Sequence, residues 1–109
     1  MEPKEGQHNE LTLDEIVRRI RETVNPVRVY LFGSRAVGSA KPTSDYDLLI
    51  VYDGPLPKIE VKMAIRRQFR NSGLAFDLFV LTPAEYEWQR GVASTLATEV
   101  ELTGRVVYG

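Results

Sequence analysis

An α/β (α+β) domain is what this chain predicts, because two kinds of hydrophobic pattern alternate along it. Three runs, 27–32 (VRVYLF), 46–52 (YDLLIVY) and 75–81 (AFDLFVL), are rich in β-branched and aromatic residues and have the length of strands. Around and between them, apolar residues recur at the three- and four-residue spacing of helices. Two Thr-x-x-Glu sequences, Thr12 with Glu15 and Thr82 with Glu85, open helical stretches with the reciprocal side-chain-to-backbone bonds of a capping box.

Taken in order, the polar segment 1–10 reads as a disordered tail, and residues 11–109 as one domain. His8, the only histidine, falls in that tail and is a poor metal ligand or base. The first helix starts after Thr12 and buries Leu13, Ile16, Val17, Ile20 and Val24, with Asp14, Arg18 and Glu22 spaced to pair on its outer side. Asn25-Pro26 ends it and turns the chain into the first strand. After the second strand, Asp53-Gly54-Pro55 makes a turn, with Asp53 read as a turn residue rather than a site acid. A helix over about 58–72 follows, with Val61, Ala64, Ile65 and Phe69 inward and Gly73 as its stop. Lys62, Arg66 and Arg70 form a basic row on another face of it, with Ile59 and Met63 nearby hinting at a covered surface. After the third strand, Pro83 sits at the first position of a helix that Gly91 breaks. Val92, Leu96 and Val100 continue a stripe up to Gly104, and 105–108 adds an edge strand or packs as a tail. Tyr86 and Trp88 read as core or interface aromatics.

Composition removes several classes of function. With 109 residues there is room for one core, and a net charge of −1 argues against a dedicated nucleic-acid surface. Without cysteine there are no disulfides, thiolate zinc sites or thiol nucleophiles. No apolar stretch reaches membrane-spanning length and the acidic N-terminus is unlike a signal peptide, so a cytoplasmic location is expected.

The chemistry concentrates where the first two strands are joined. Gly33-Ser34 closes the first strand, and ten residues later come Asp45 and, two further on, Asp47. Side chains alternate along a strand, so the two acids share a face while Tyr46 points the other way. Adjacent carboxylates repel, and a cation between them relieves the cost. Mg²⁺ suits such a pair, since it takes one or two carboxylates together with substrate phosphates. Gly33 and Ser34 would supply backbone N–H groups and a hydroxyl to a closely approaching phosphate. Asp77 stands alone in the apolar third strand, where it either meets a compensating group or faces water at a sheet edge.

Over 30–81, and most specifically over Leu31-Phe32-Gly33-Ser34-Arg35-Ala36-Val37-Gly38 and Ser44-Asp45-Tyr46-Asp47, the chain resembles the minimal nucleotidyltransferase (MNT) branch of the DNA polymerase β-type superfamily, matching its GS-x10-DxD signature without a gap. The resemblance implies a small mixed β-sheet with helices packed chiefly on one face and the carboxylates exposed on the other. It implies that Asp45, Asp47 and Asp77 are the metal-binding and catalytic acids, holding two Mg²⁺ ions (or Mn²⁺) about 3.5–4 Å apart. It places Gly33 and Ser34 at the phosphates of ATP or another NTP. Arg35 is either a further phosphate contact or a surface salt bridge. Chains of this branch resemble antitoxins of toxin–antitoxin pairs whose partners are small all-helical HEPN-type proteins. Some transfer AMP to the toxin and others act by binding.

The expected activity is therefore transfer of an NMP, AMP first, from an NTP to a hydroxyl, a tyrosine of a partner toxin, with the acceptor surface borrowed from a partner chain or from the protein's own homo-oligomer. The rival is a catalytically weak module that neutralises its partner by covering it. Three retained acids favour the enzyme, since a pure binder has no need of them. A DxD glycosyltransferase is disfavoured, because it needs a larger domain and leaves the Gly-Ser turn without a use.

Overall fold

A computed structural model describes residues 11–38 and 45–109; the expectation of a disordered 1–10 tail, with His8, falls outside them. Helix α1 (Leu13–Val24) opens with the capping box at Thr12, whose side chain accepts from the Glu15 N–H at 3.1 Å while Glu15 accepts from the Thr12 N–H at 3.1 Å. Asn25 ends it in the left-handed conformation, φ 52°. Of the outer charges, Arg18 and Glu22 pair at 3.2 Å, an exposed contact of small stabilising effect. Strand β1 (Arg28–Phe32) follows, then a four-residue helix α2 (Ser34–Val37), strand β2 (Tyr46–Val51), helix α3 (Lys58–Gln68), strand β3 (Phe76–Leu81), helices α4 (Pro83–Gln89) and α5 (Leu96–Thr103), and strand β4 (Arg105–Tyr108).

The strands form one mixed sheet in the order β3-β2-β1-β4, with β1 antiparallel to both β2 and β4 and β2 parallel to β3. A parallel neighbour needs a long crossover, and α3 provides it. Because side chains alternate, β1, β2 and β3 each feed two cores. Val29, Leu31, Leu48, Ile50 and Leu78 pack under α1 and α3, the two longest helices, against Ile16, Ile20, Val61 and Ile65. On the other face Tyr30, Phe32, Leu49, Val51 and Leu81 pack under the shorter α4 and α5, against Tyr86, Ala97 and Val100. Helices thus load one face chiefly and cover the second in part.

Local deviations from the sequence reading trace to packing. Helix α3 stops at Gln68, four residues before the expected end; Phe69 is its C-cap and still packs inward beside Phe76, ring centroids 4.7 Å apart. The chain tightens there: the Phe69 N–H bonds to Arg66 O and Asn71 turns left-handed, so Gly73 closes a turn rather than the helix. Gly91 breaks the last helical region as expected, at φ +80°. Val92 lies outside the helix and is 43% exposed, so it is not part of the stripe; the N-cap of α5 is Thr95. Segment 105–108 is the edge strand. Tyr86 is buried and stacks on Tyr30 with centroids 5.1 Å apart, whereas Trp88 is 71% exposed and is no core residue.

Candidate functional site

The C-terminal end of β1 and the N-terminal ends of β2 and β3 meet at one edge of the sheet. There the register aligns Phe32 with Asp47 and Asp47 with Asp77. Asp47 and Asp77 are therefore nearest neighbours on adjacent strands, on the face away from α1 and α3. Asp45 lies one residue before β2 begins and is exposed. Tyr46, between the two acids of the motif, turns to the opposite face and packs on Phe76, with ring centroids 5.6 Å apart.

Gly33 is where the backbone geometry is demanding. Its φ is +75°, and a Cβ built there would overlap the Asp47 carboxylate oxygen Oδ2. The carboxylate thus lies directly against the Gly33 backbone, an approach open only to glycine. Its carbonyl accepts from the Ala36 and Val37 N–H groups at 3.1 and 3.3 Å, so the expected Gly-Ser turn is the start of α2, with Ser34 its first residue. Gly33→Ala is expected to cost about 1–3 kcal/mol in urea unfolding and to displace Asp47. Gly38→Ala is its control, because Gly38 has φ +81° but open space around its Cβ position. Equal losses in the two variants would show that the contact with Asp47 adds nothing.

Arg35 lies with its guanidinium 3.9 Å from the centroid of the Tyr46 ring, a cation–π contact. The structure thus brings Asp47, Asp77 and Gly33 into contact or direct register and keeps Asp45 close by, while Arg35 rests on the residue that points away from the acids.

The electrostatics follow from this crowding. Burial first, then the charges of Asp77, Asp45 and Glu99, and lastly a hydrogen bond with Asp77, hold the Asp47 carboxyl above its ordinary pKa. Glu99 was not legible as a site residue. It lies on α5 far along the chain, among apolar and threonine residues that carry no motif, and only packing of α5 onto the second face brings it here.

Asp47 and Asp77, with Glu99, open onto a cavity of about 620 Å³, within the usual range for small-molecule sites. Phe32 and Phe79 contribute from the sheet and Leu96, Glu99 and Leu102 from α5. Among the described residues, no three acidic or imidazole side chains converge tightly enough to form a ready three-ligand cation site. The crowded pair nevertheless fits a hard cation: its repulsion is relieved by one, and one or two carboxylates plus phosphate oxygens form an ordinary Mg²⁺ ligand set.

A mixed sheet with paired carboxylates beside a Gly-Ser strand-to-helix turn defines a class of protein that handles phosphates. The family model for the nucleotidyltransferase domain matches residues 13–103, so the chain belongs to that family, enzymes that transfer phosphorus-containing groups. No curated protein matches the chain. Among solved structures, a toxin–antitoxin with AMP-PNP is similar at TM-score 0.68 and 21% identity, covering 91% of this chain and 74% of that one. A mutant of the toxin–antitoxin MntA-HpeT is similar at TM-score 0.67 and 20% identity, with the same coverage. A second MntA-HpeT mutant gives TM-score 0.65 at 21% identity, over 92% of this chain and 74% of that one. At these identities the likeness is one of fold.

Proposed function

We propose that the cavity holds a Mg²⁺-bound NTP, ATP first, and that the protein transfers its NMP to a hydroxyl of a partner, a tyrosine of a small all-helical HEPN-type toxin, acting as an antitoxin in the cytoplasm. The observation that carries this is the Asp47–Asp77 pair, set against Gly33 and opening onto a nucleotide-sized cavity. The toxin–antitoxin neighbours, one with AMP-PNP, support the nucleotide and the partner class. Among the described residues, no helix is long and apolar enough to cross a membrane.

In this reading Asp45 and Asp47 hold the cation together with the triphosphate. The Gly33 backbone makes room for the Asp47 carboxylate and offers its N–H to the phosphates, and Ser34 donates to them. Asp77, the register neighbour of Asp47, orients the acceptor hydroxyl. Arg35 reaches a phosphate only by leaving the Tyr46 ring. The acceptor oxygen attacks the α-phosphorus as its proton passes to solvent, the bond from that phosphorus to the α–β bridging oxygen breaks, and pyrophosphate leaves. Mg²⁺, when bound, supplies neutralisation of the phosphate charge and acidifies the hydroxyl; two ions are proposed, with Mn²⁺ able to stand in for them.

A non-catalytic role is favoured by a separate observation. Ile59 and Met63 on α3 are 60% and 45% exposed, one helical turn apart. Such a surface suits a partner chain or a second copy, and light scattering with co-purification reads either. The two roles separate in one assay, in which the protein is mixed with the product of the adjacent gene, α-labelled ATP and Mg²⁺. Label on the partner, lost with chelator, is expected. Tight binding without label on any acceptor would replace transfer by covering.

A further inference from the structure

Glu99 lies three residues from both Leu96 and Leu102 on α5, so the three project on neighbouring positions of one helix face. All three line the cavity. The threonine hydroxyls of the same wall are committed to the protein itself. Thr98 donates to Val92 O at 2.7 Å, Thr95 bonds the Val92 and Gln89 carbonyls at 2.9 and 3.0 Å, and Thr103 donates to Glu99 O at 3.0 Å. Glu99 differs. Its side chain is exposed and makes no hydrogen bond or ion pair among the described residues. It lies near enough to Asp47 for its charge to be felt there, yet belongs to no three-acid cation site among the described residues.

A carboxylate in that place accepts hydrogen bonds and cannot donate them. It repels phosphate, so the part of a bound molecule that meets it must carry donors. The groups nearest a reacting α-phosphate that do so are the sugar hydroxyls of the nucleotide and the attacking hydroxyl. The apolar Leu96, Leu102 and Phe79 suit the base instead. We infer that Glu99 is a specificity-determining residue of the cavity, accepting a hydrogen bond from a hydroxyl beside the reacting phosphate, on the nucleotide sugar or on the acceptor. The inference rests on the nucleotidyltransfer reading of this cavity.

The test compares wild type, Glu99→Gln and Glu99→Ala. Titration uses Mg²⁺ with an ATP analogue bridged by methylene between the α and β phosphates, and with its 2′-deoxy and 3′-deoxy counterparts. Transfer is followed with α-labelled ATP. If the sugar is the donor, wild type prefers the full ribose analogue over one deoxy form by about 10-fold or more, and Glu99→Ala loses that preference. If the acceptor is the donor, all nucleotide affinities stay unchanged while kcat/KM for the acceptor falls by about 10-fold or more in Glu99→Ala. In both cases Glu99→Gln, which keeps an accepting oxygen, recovers part of the effect. Both substitutions are at an exposed position, and equal melting temperatures verify the fold. Glu99→Ala within twofold of wild type in every measurement would overturn the assignment alone, as would tighter nucleotide binding in both variants, the mark of plain repulsion. Wild type that binds no Mg²⁺-nucleotide would overturn both this inference and the cavity reading beneath it.

Discussion

Asp45→Asn combined with Asp47→Asn is expected to abolish Mg²⁺-dependent nucleotide binding and to reduce transfer by about 10³-fold or more, the scale of several kcal/mol of lost charge stabilisation. Asp47 carries the effect. It sits in register with Asp77 and lies against Gly33, so no neighbouring acid can take its place beside the turn. In the metal-free protein the same double variant should melt at or above the wild-type temperature. The burial and the neighbouring charges that hold the Asp47 carboxyl above its ordinary pKa then no longer act on a charged group, and amides fill nearly the same space. Isothermal titration and thermal melting with and without Mg²⁺ check the two halves together. Wild-type nucleotide affinity in the variant would remove the metal-site argument, whatever the melting curves show.

Asp77→Asn is expected to behave differently, retaining much of the nucleotide affinity while transfer falls by about 10²-fold or more. Asp77 is exposed at the edge of the cavity, whereas Asp47 is half-buried between Phe32 and Asp77 in the ladder. Removing Asp77 leaves the Asp45–Asp47 pair for the triphosphate-bound cation and withdraws the group assigned to the acceptor hydroxyl. Affinity by titration and single-turnover label transfer distinguish the two losses. A variant that labels its acceptor at the wild-type rate would show that Asp77 has no part in the reaction, and its place beside Asp47 would then be one of charge alone.

The legible part of this site is local in sequence. Asp47 and Tyr46 take opposite faces because strand side chains alternate, and Gly33 precedes a close backbone approach because no other residue accepts φ +75° against a carboxylate. The capping boxes at Thr12 and Thr82 were legible for the same reason: each is closed by a residue three positions away. Asp77 was visible as an anomaly, an acid in an apolar strand, but its position opposite Asp47 depends on the parallel register of β2 and β3. That register is set by which side chains bury on which face of the sheet.

Elements decided by long-range packing escaped the sequence. Helix α3 ends at Gln68, with Phe69 held in the core beside Phe76 by a tighter turn than the helical pattern running on toward Gly73 supplies. Arg35 rests on Tyr46 because α2 and the start of β2 are brought together across the motif. Glu99 joins the acids because α5 packs through Ala97 and Val100 onto the second sheet face.

By itself, then, the sequence determined the class of fold, the family, and the chemical character of one sheet end, since alternation, capping and close approach act over a few residues. Only the tertiary structure decided that Asp77 stands beside Asp47, that the cavity has an α5 wall, and that this wall presents Glu99. Such juxtapositions depend on burial of apolar surface between elements distant in the chain, and no spacing within a single segment encodes them.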